Sequence, residues 1–182
     1  MRDYQRSKVY ALDWKLLMAA ARHPDWLSRT NLSLDDIRVM VQRAFDMKLI
    51  TGGPVQVKDG RRRKSGCANK YYMKLPKFTR QAVYVLHELA HVITIRKFDD
   101  VAAHGPEYMG IYRDLLIKFE ILDAETIDRL IKETGVDCSR LAAYQFSADS
   151  FTITLSDKAP EPSADIQVGN LYTSGGEKKT SP

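Results

Sequence analysis

The chain has 182 residues, 44% hydrophobic and 28% charged, with a formal net charge of +5. This predicts one globular domain with a real core, and the modest basic excess permits contact with nucleic acid or acidic surfaces without requiring it. Two distant cysteines, Cys67 and Cys138, argue against a disulfide framework, no apolar run approaches the roughly 18 residues of a membrane span, and the polar start Met1-Arg2-Asp3-Tyr4-Gln5-Arg6 lacks a signal-peptide pattern, so a cytoplasmic protein without membrane association is expected.

The first predicted element is a helix over residues 5–22, with Val9, Leu12, Leu16 and Ala20 on one face and His23-Pro24 as its stop. Ser33 offers an N-cap to a second helix, with Asp35 and Asp36 in its first turn and Ile37, Val41, Ala44 and Phe45 as its apolar stripe. Gly52-Gly53 ends that region. Over residues 54–75 Val55 and Val57 alternate with polar neighbours, and Tyr71, Tyr72 and Leu75 form a second extended run. Between the two runs lies the basic segment Asp59-Gly60-Arg61-Arg62-Arg63-Lys64-Ser65-Gly66, so a hairpin closed by Pro76 is expected.

A third helix is predicted over residues 80–95, with Thr79 as a cap. Its apolar residues Val83, Val85, Leu86, Leu89, Ala90, Val92 and Ile93 cover nearly the whole circumference, which marks a central, buried helix. The interruption is the stripe Tyr84, His87, Glu88, His91, whose polar groups need partners if buried. Pro106 suits the first turn of a fourth helix carrying Tyr108, Ile111, Tyr112, Leu115 and Phe119. Asp123 caps a fifth helix with Ile127, Leu130 and Ile131, ended by Gly135. A short helix from Ser139 to Tyr144 and a strand from Phe151 to Leu155 follow, and the composition beyond, with Pro160, Pro162, Gly175, Gly176, Lys178 and Lys179, predicts disorder. The expected division is a domain over 1–146 and a mostly disordered tail over 147–182.

His87-Glu88-Leu89-Ala90-His91 carries the chemistry. Residues four apart share a helix face, so His87 and His91 can hold one ion as neutral imidazoles. Glu88 stands about 100° around the helix, beside the ion, where it can take a proton from a metal-bound water. A catalytic zinc keeps three protein ligands and an open position. His104, just before Gly105-Pro106, is the preferred third ligand, and Glu107 is the alternative; the short metzincin spacing is absent, position 97 being lysine. Tyr108, Tyr112 and Arg113 are candidates to stabilise an oxyanion, with core packing the commoner role for the two tyrosines. Asp99, Asp100 and Asp114 are candidates to orient an imidazole through its second nitrogen.

His87-Glu88-Leu89-Ala90-His91 with His104-Gly105-Pro106-Glu107-Tyr108 resembles the zinc motif of SprT-like metallopeptidases. The start, Arg2-Asp3-Tyr4-Gln5-Arg6-Ser7-Lys8-Val9-Tyr10, and the segment Met73-Lys74-Leu75-Pro76 ahead of the motif helix resemble a small bacterial and phage family of metallohydrolases. The resemblance covers roughly residues 2–140. It implies an α+β, zincin-like fold, Zn²⁺ held by His87, His91 and His104, and Glu88 as the base. The zinc-ribbon cysteines that follow the domain in some SprT-like proteins are absent.

The expectation is therefore a zinc-dependent metallopeptidase acting on a peptide or protein substrate. Tyr71 to Leu75 would be an edge strand that pairs with the substrate backbone. The rivals are hydrolysis of a non-peptide amide and a DNA-associated or partner-binding protein whose zinc is structural. For the second, Arg61-Arg62-Arg63-Lys64 is the segment that would touch phosphates, although such a run is more often a solvated turn.

Overall fold

The structure, a computed structural model, describes residues 3–139. Apart from Ser139, the segments expected as a short helix to Tyr144, a strand over 151–155 and a tail from 147 lie outside them. The described residues form five α-helices and a three-stranded sheet, an α+β arrangement. None of these helices is long and apolar enough to cross a membrane.

Helix α1 (Arg6–Ala20) buries Val9, Leu12, Leu16 and Ala20, and with them the carboxylate of Asp13. It ends before His23. Pro24 opens a 3-10 turn, Pro24–Arg29, and the His23 imidazole accepts a hydrogen bond from the Asp25 N–H. Helix α2 (Leu34–Asp46) starts with a reciprocal capping box between Ser33 and Asp36, a device worth roughly 1 kcal/mol.

The sheet departs from the expected hairpin. Strands β1 (Gln56–Asp59), β2 (Cys67–Ala68) and β3 (Tyr72–Leu75) lie in the order β1-β3-β2. β1 runs parallel to β3, pairing Gln56 with Tyr72 and Asp59 with Leu75, and β2 runs antiparallel to β3. The basic segment is thus a crossover passing over the end of β3, not a hairpin turn. Gly60 permits the crossing, because a β-carbon there would stand 2.6 Å from Pro76. The true hairpin joins β2 to β3, and the Asn69 side chain accepts from the Tyr71 and Tyr72 N–H groups at its turn. β3 is therefore central, and the expected edge at Tyr71 to Leu75 is replaced by the short edge β2.

Helix α3 (Ala82–Lys97) is the central element and packs against α4 (Pro106–Lys118), α1, β2 and β3. Thr79 does not cap it. Its hydroxyl donates to the Pro76 carbonyl within a 3-10 turn, Lys77–Thr79, and Gln81 is the N-cap. Burial runs around α3 as its sequence predicts, from Val83 through Val92, and takes His87 and Glu88 with it. Pro106 occupies the first turn of α4. Helix α5 (Ala124–Thr134) is capped by Asp123, ends at Gly135, and packs on α1 and α4.

Candidate metal centre

His87 and His91 face the same way from α3, and His104 reaches them from the loop ahead of α4. Nε2 of His87 lies 3.2 Å from Nε2 of His91 and 3.4 Å from Nε2 of His104. Two nitrogens bound to one tetrahedral zinc at about 2.0–2.1 Å stand roughly 3.3 Å apart. The three imidazoles therefore fit one ion, and among the described residues they are the group that comes together for this purpose. Glu107, the alternative ligand, instead folds its carboxylate back toward Gly105.

The remaining ring nitrogens explain the orientation. Nδ1 of His87 is 3.0 Å from Oδ2 of Asp13, close enough for an ion pair though not aligned for a straight hydrogen bond. Nδ1 of His104 is 2.8 Å from Oδ2 of Asp3. Satisfying these carboxylates puts a proton on each Nδ1 and turns both Nε2 lone pairs to the common point. Gln5, itself buried, donates to the His104 carbonyl and exchanges two hydrogen bonds with the Asp137 backbone. The N-terminal segment is thus part of the site.

Electrostatics follow from this burial. Burial disfavours charge on His91, and its two imidazole neighbours add to the effect, so its pKa falls well below the usual value. His104 is lowered mainly by burial, with Asp3 opposing. For His87 burial also opposes the charge, but Asp13 and Glu88 together outweigh it and the pKa rises. Burial pushes Glu88 up to about 7, partly offset by His87. Oε2 of Glu88 is buried without a hydrogen-bond partner. Both the nitrogen spacing and this orphaned oxygen suit a metal with a polarised guest beside it.

Tyr108 and Tyr112 are fully buried on α4. The Tyr108 hydroxyl donates to the His87 carbonyl at 3.3 Å, and its ring stacks on His91 with centroids 4.4 Å apart. The Tyr112 hydroxyl donates to Oδ1 of Asp13 at 2.8 Å. Both rings thus pack within the core, and both hydroxyls are engaged there. Arg113 turns to α5 and forms a two-pronged pair with Asp128. Of the aspartates expected to orient an imidazole, Asp99 and Asp100 line a cleft beside His91, and Asp114 stands near Arg113 and Lys118. Among the described residues, the carboxylates that reach nitrogens of the three clustered imidazoles are Asp13 and Asp3. Asp13 had a signal in the sequence, a charge within the apolar stripe of α1; Asp3 had none.

A cleft of about 420 Å³ opens on His87 and Glu88. Gly66, immediately before β2, lies against the Glu88 carboxylate, so the free edge of the sheet borders the site. No protein-family model, curated protein or solved structure matches this chain.

Proposed function

We propose that this chain is a zinc-dependent peptidase of zincin-like architecture, with His87, His91 and His104 as ligands and Glu88 as general base. The observation that carries the reading is Glu88 itself. Its carboxylate is buried beside the three imidazoles, its pKa is raised to about 7, and Oε2 has no partner. A metal site that only braced the fold would have no use for such a group, and burying it unpaired costs folding free energy. The likeness of the two histidine motifs to SprT-like metallopeptidases supports the same roles.

Zinc held by three imidazoles brings the pKa of a water to about 7 and polarises a carbonyl oxygen. The residues of the chain do the rest. Glu88 takes a proton at Oε2 and returns it to the departing amine, and a base with a pKa near neutrality suits both transfers. The edge of β2 offers main-chain hydrogen bonds to an extended peptide or protein segment. Asp13, Asp3 and Tyr108 hold the imidazoles in register.

The rival is a structural metal in a DNA-associated or partner-binding protein, favoured by the exposed Arg61, Arg62, Arg63 and Lys64. Metal analysis combined with cleavage profiling on a peptide library separates the two. Wild type and Glu88→Gln are expected to hold one zinc each, with hydrolysis about 10²–10⁴-fold slower in the variant. Equal turnover removes Glu88 from the mechanism, and no cleavage by zinc-loaded wild type rules the peptidase out.

A further inference from the structure

The cleft that reaches His87 and Glu88 has walls that the chemistry above does not use. Tyr10 and Trp14 stand one turn apart on α1, Phe78 comes from the 3-10 turn before α3, and Tyr84 from α3 itself. Tyr10, Trp14 and Phe78 are 45%, 58% and 59% exposed. Single exposed aromatics are ordinary, but several at the mouth of one cleft mark a surface built to be covered. Two cations share that mouth. The Arg6 guanidinium donates to the Tyr10 hydroxyl at 3.1 Å, and Lys64 is exposed with no ion-pair partner among the described residues. Of the carboxylates below, Asp13 is already engaged by His87 and Tyr112. Residues 64–66 line the cleft and lead directly into β2, so a chain paired with that edge would pass the cleft mouth.

We propose that this recess is a side-chain subsite that takes a large apolar residue, aromatic by preference, with an acidic residue next to it in the bound peptide. The proposal rests on the peptidase reading only in taking the occupant to be a peptide. The volume lies within the range of small-ligand pockets. Rings on three sides provide edge-to-face and offset contacts for a guest ring. A neighbouring carboxylate meets Arg6 and Lys64, whereas a neighbouring ammonium is repelled by both. The cleft on the His91 side carries Asp99 and Asp100 against a single cation, Lys70, so the acidic preference is assigned to the Glu88 side, where Arg6 and Lys64 stand at the mouth.

The test needs no turnover. The chain has two tryptophans, so a Trp26→Phe background leaves Trp14 as the sole indole. Zinc-loaded Glu88→Gln protein in that background is titrated with acetylated, amidated Ala-Ala-Phe-Glu-Ala, Ala-Ala-Phe-Lys-Ala and Ala-Ala-Ala-Glu-Ala. The Phe-Glu peptide is expected to change Trp14 emission saturably and to bind about tenfold tighter than either other peptide. Lys64→Glu should reverse the preference between Glu and Lys. Trp14→Ala, followed by calorimetry, should erase the preference for Phe while zinc content stays the same. Equal binding of the three peptides, or an unchanged preference in Trp14→Ala, overturns the subsite. A protein with this preference that cleaves nothing keeps the subsite and loses the peptidase; one that cleaves peptides without it loses the subsite alone.

Discussion

A β-carbon on Gly66 would collide with Oε1 of Glu88, so the loop ahead of β2 and the carboxylate lie directly against each other. Gly66→Ala must move one of them. Zinc content should be unchanged, since no ligand is touched, while peptide hydrolysis falls by about 10–10²-fold, the usual cost of displacing a reacting group by an ångström. Metal analysis alongside steady-state kinetics checks both halves. Wild-type activity in the variant would mean that the loop yields freely.

One zinc per chain is expected in protein purified without added metal, and none in the His87→Ala, His91→Ala double variant. Because the ion binds the folded state, zinc at about 100 times its Kd should stabilise the apo protein by roughly 2.7 kcal/mol. Thermal melts with and without zinc read this directly. A stoichiometry that survives the double variant would point to another site.

Asp13→Asn and Asp3→Asn should each weaken zinc binding by about 10–10²-fold, because each frees an imidazole to rotate or change tautomer. The larger effect is expected at Asp13. Its side chain is 3% exposed, against 26% for Asp3, and it also receives the Tyr112 hydroxyl. Competition with a chromophoric chelator gives the two affinities. Equal wild-type affinity in both would show that packing alone orients the rings.

The three imidazoles and the carboxylates beside them lie within the described residues, 3–139. A chain ending at residue 146 should therefore bind one zinc with unchanged affinity and melt within a few degrees of the full chain. Loss of zinc or of the cooperative melt would show that residues beyond 146 complete the domain.

Much of this was legible in the chain because helices are local. Ser33, Asp123 and Gly135 mark ends through contacts within a few residues, and the all-round apolar pattern of α3 identifies it as central. His87 and His91 share a face by helix geometry alone. Strand pairing is not local, and the sheet order departs from the expected hairpin for that reason. Alternation at Val55 and Val57 marks a strand but not its partner, and Asp59-Gly60 imitates a hairpin turn. Cys67–Ala68 is too short to show any alternation, so the edge strand was invisible. The support for the imidazoles was hidden for the same reason. His104 meets a carboxylate 101 residues away, and no pattern in the sequence encodes that distance.

The clasp made by Asp3 and Gln5 has a practical side. Gln5 joins the His104 carbonyl to the Asp137 backbone, so this tie on His104 is complete only when both ends of the described chain have arrived. During synthesis α3 and His104 leave the ribosome well before residue 137 does. A nascent chain can present all three imidazoles, with Asp3 and Asp13 already made, yet still lack the backbone tie between the His104 carbonyl and Asp137. The same clasp bears on expression vectors. A polyhistidine tag fused ahead of Asp3 would offer competing imidazoles close to His104.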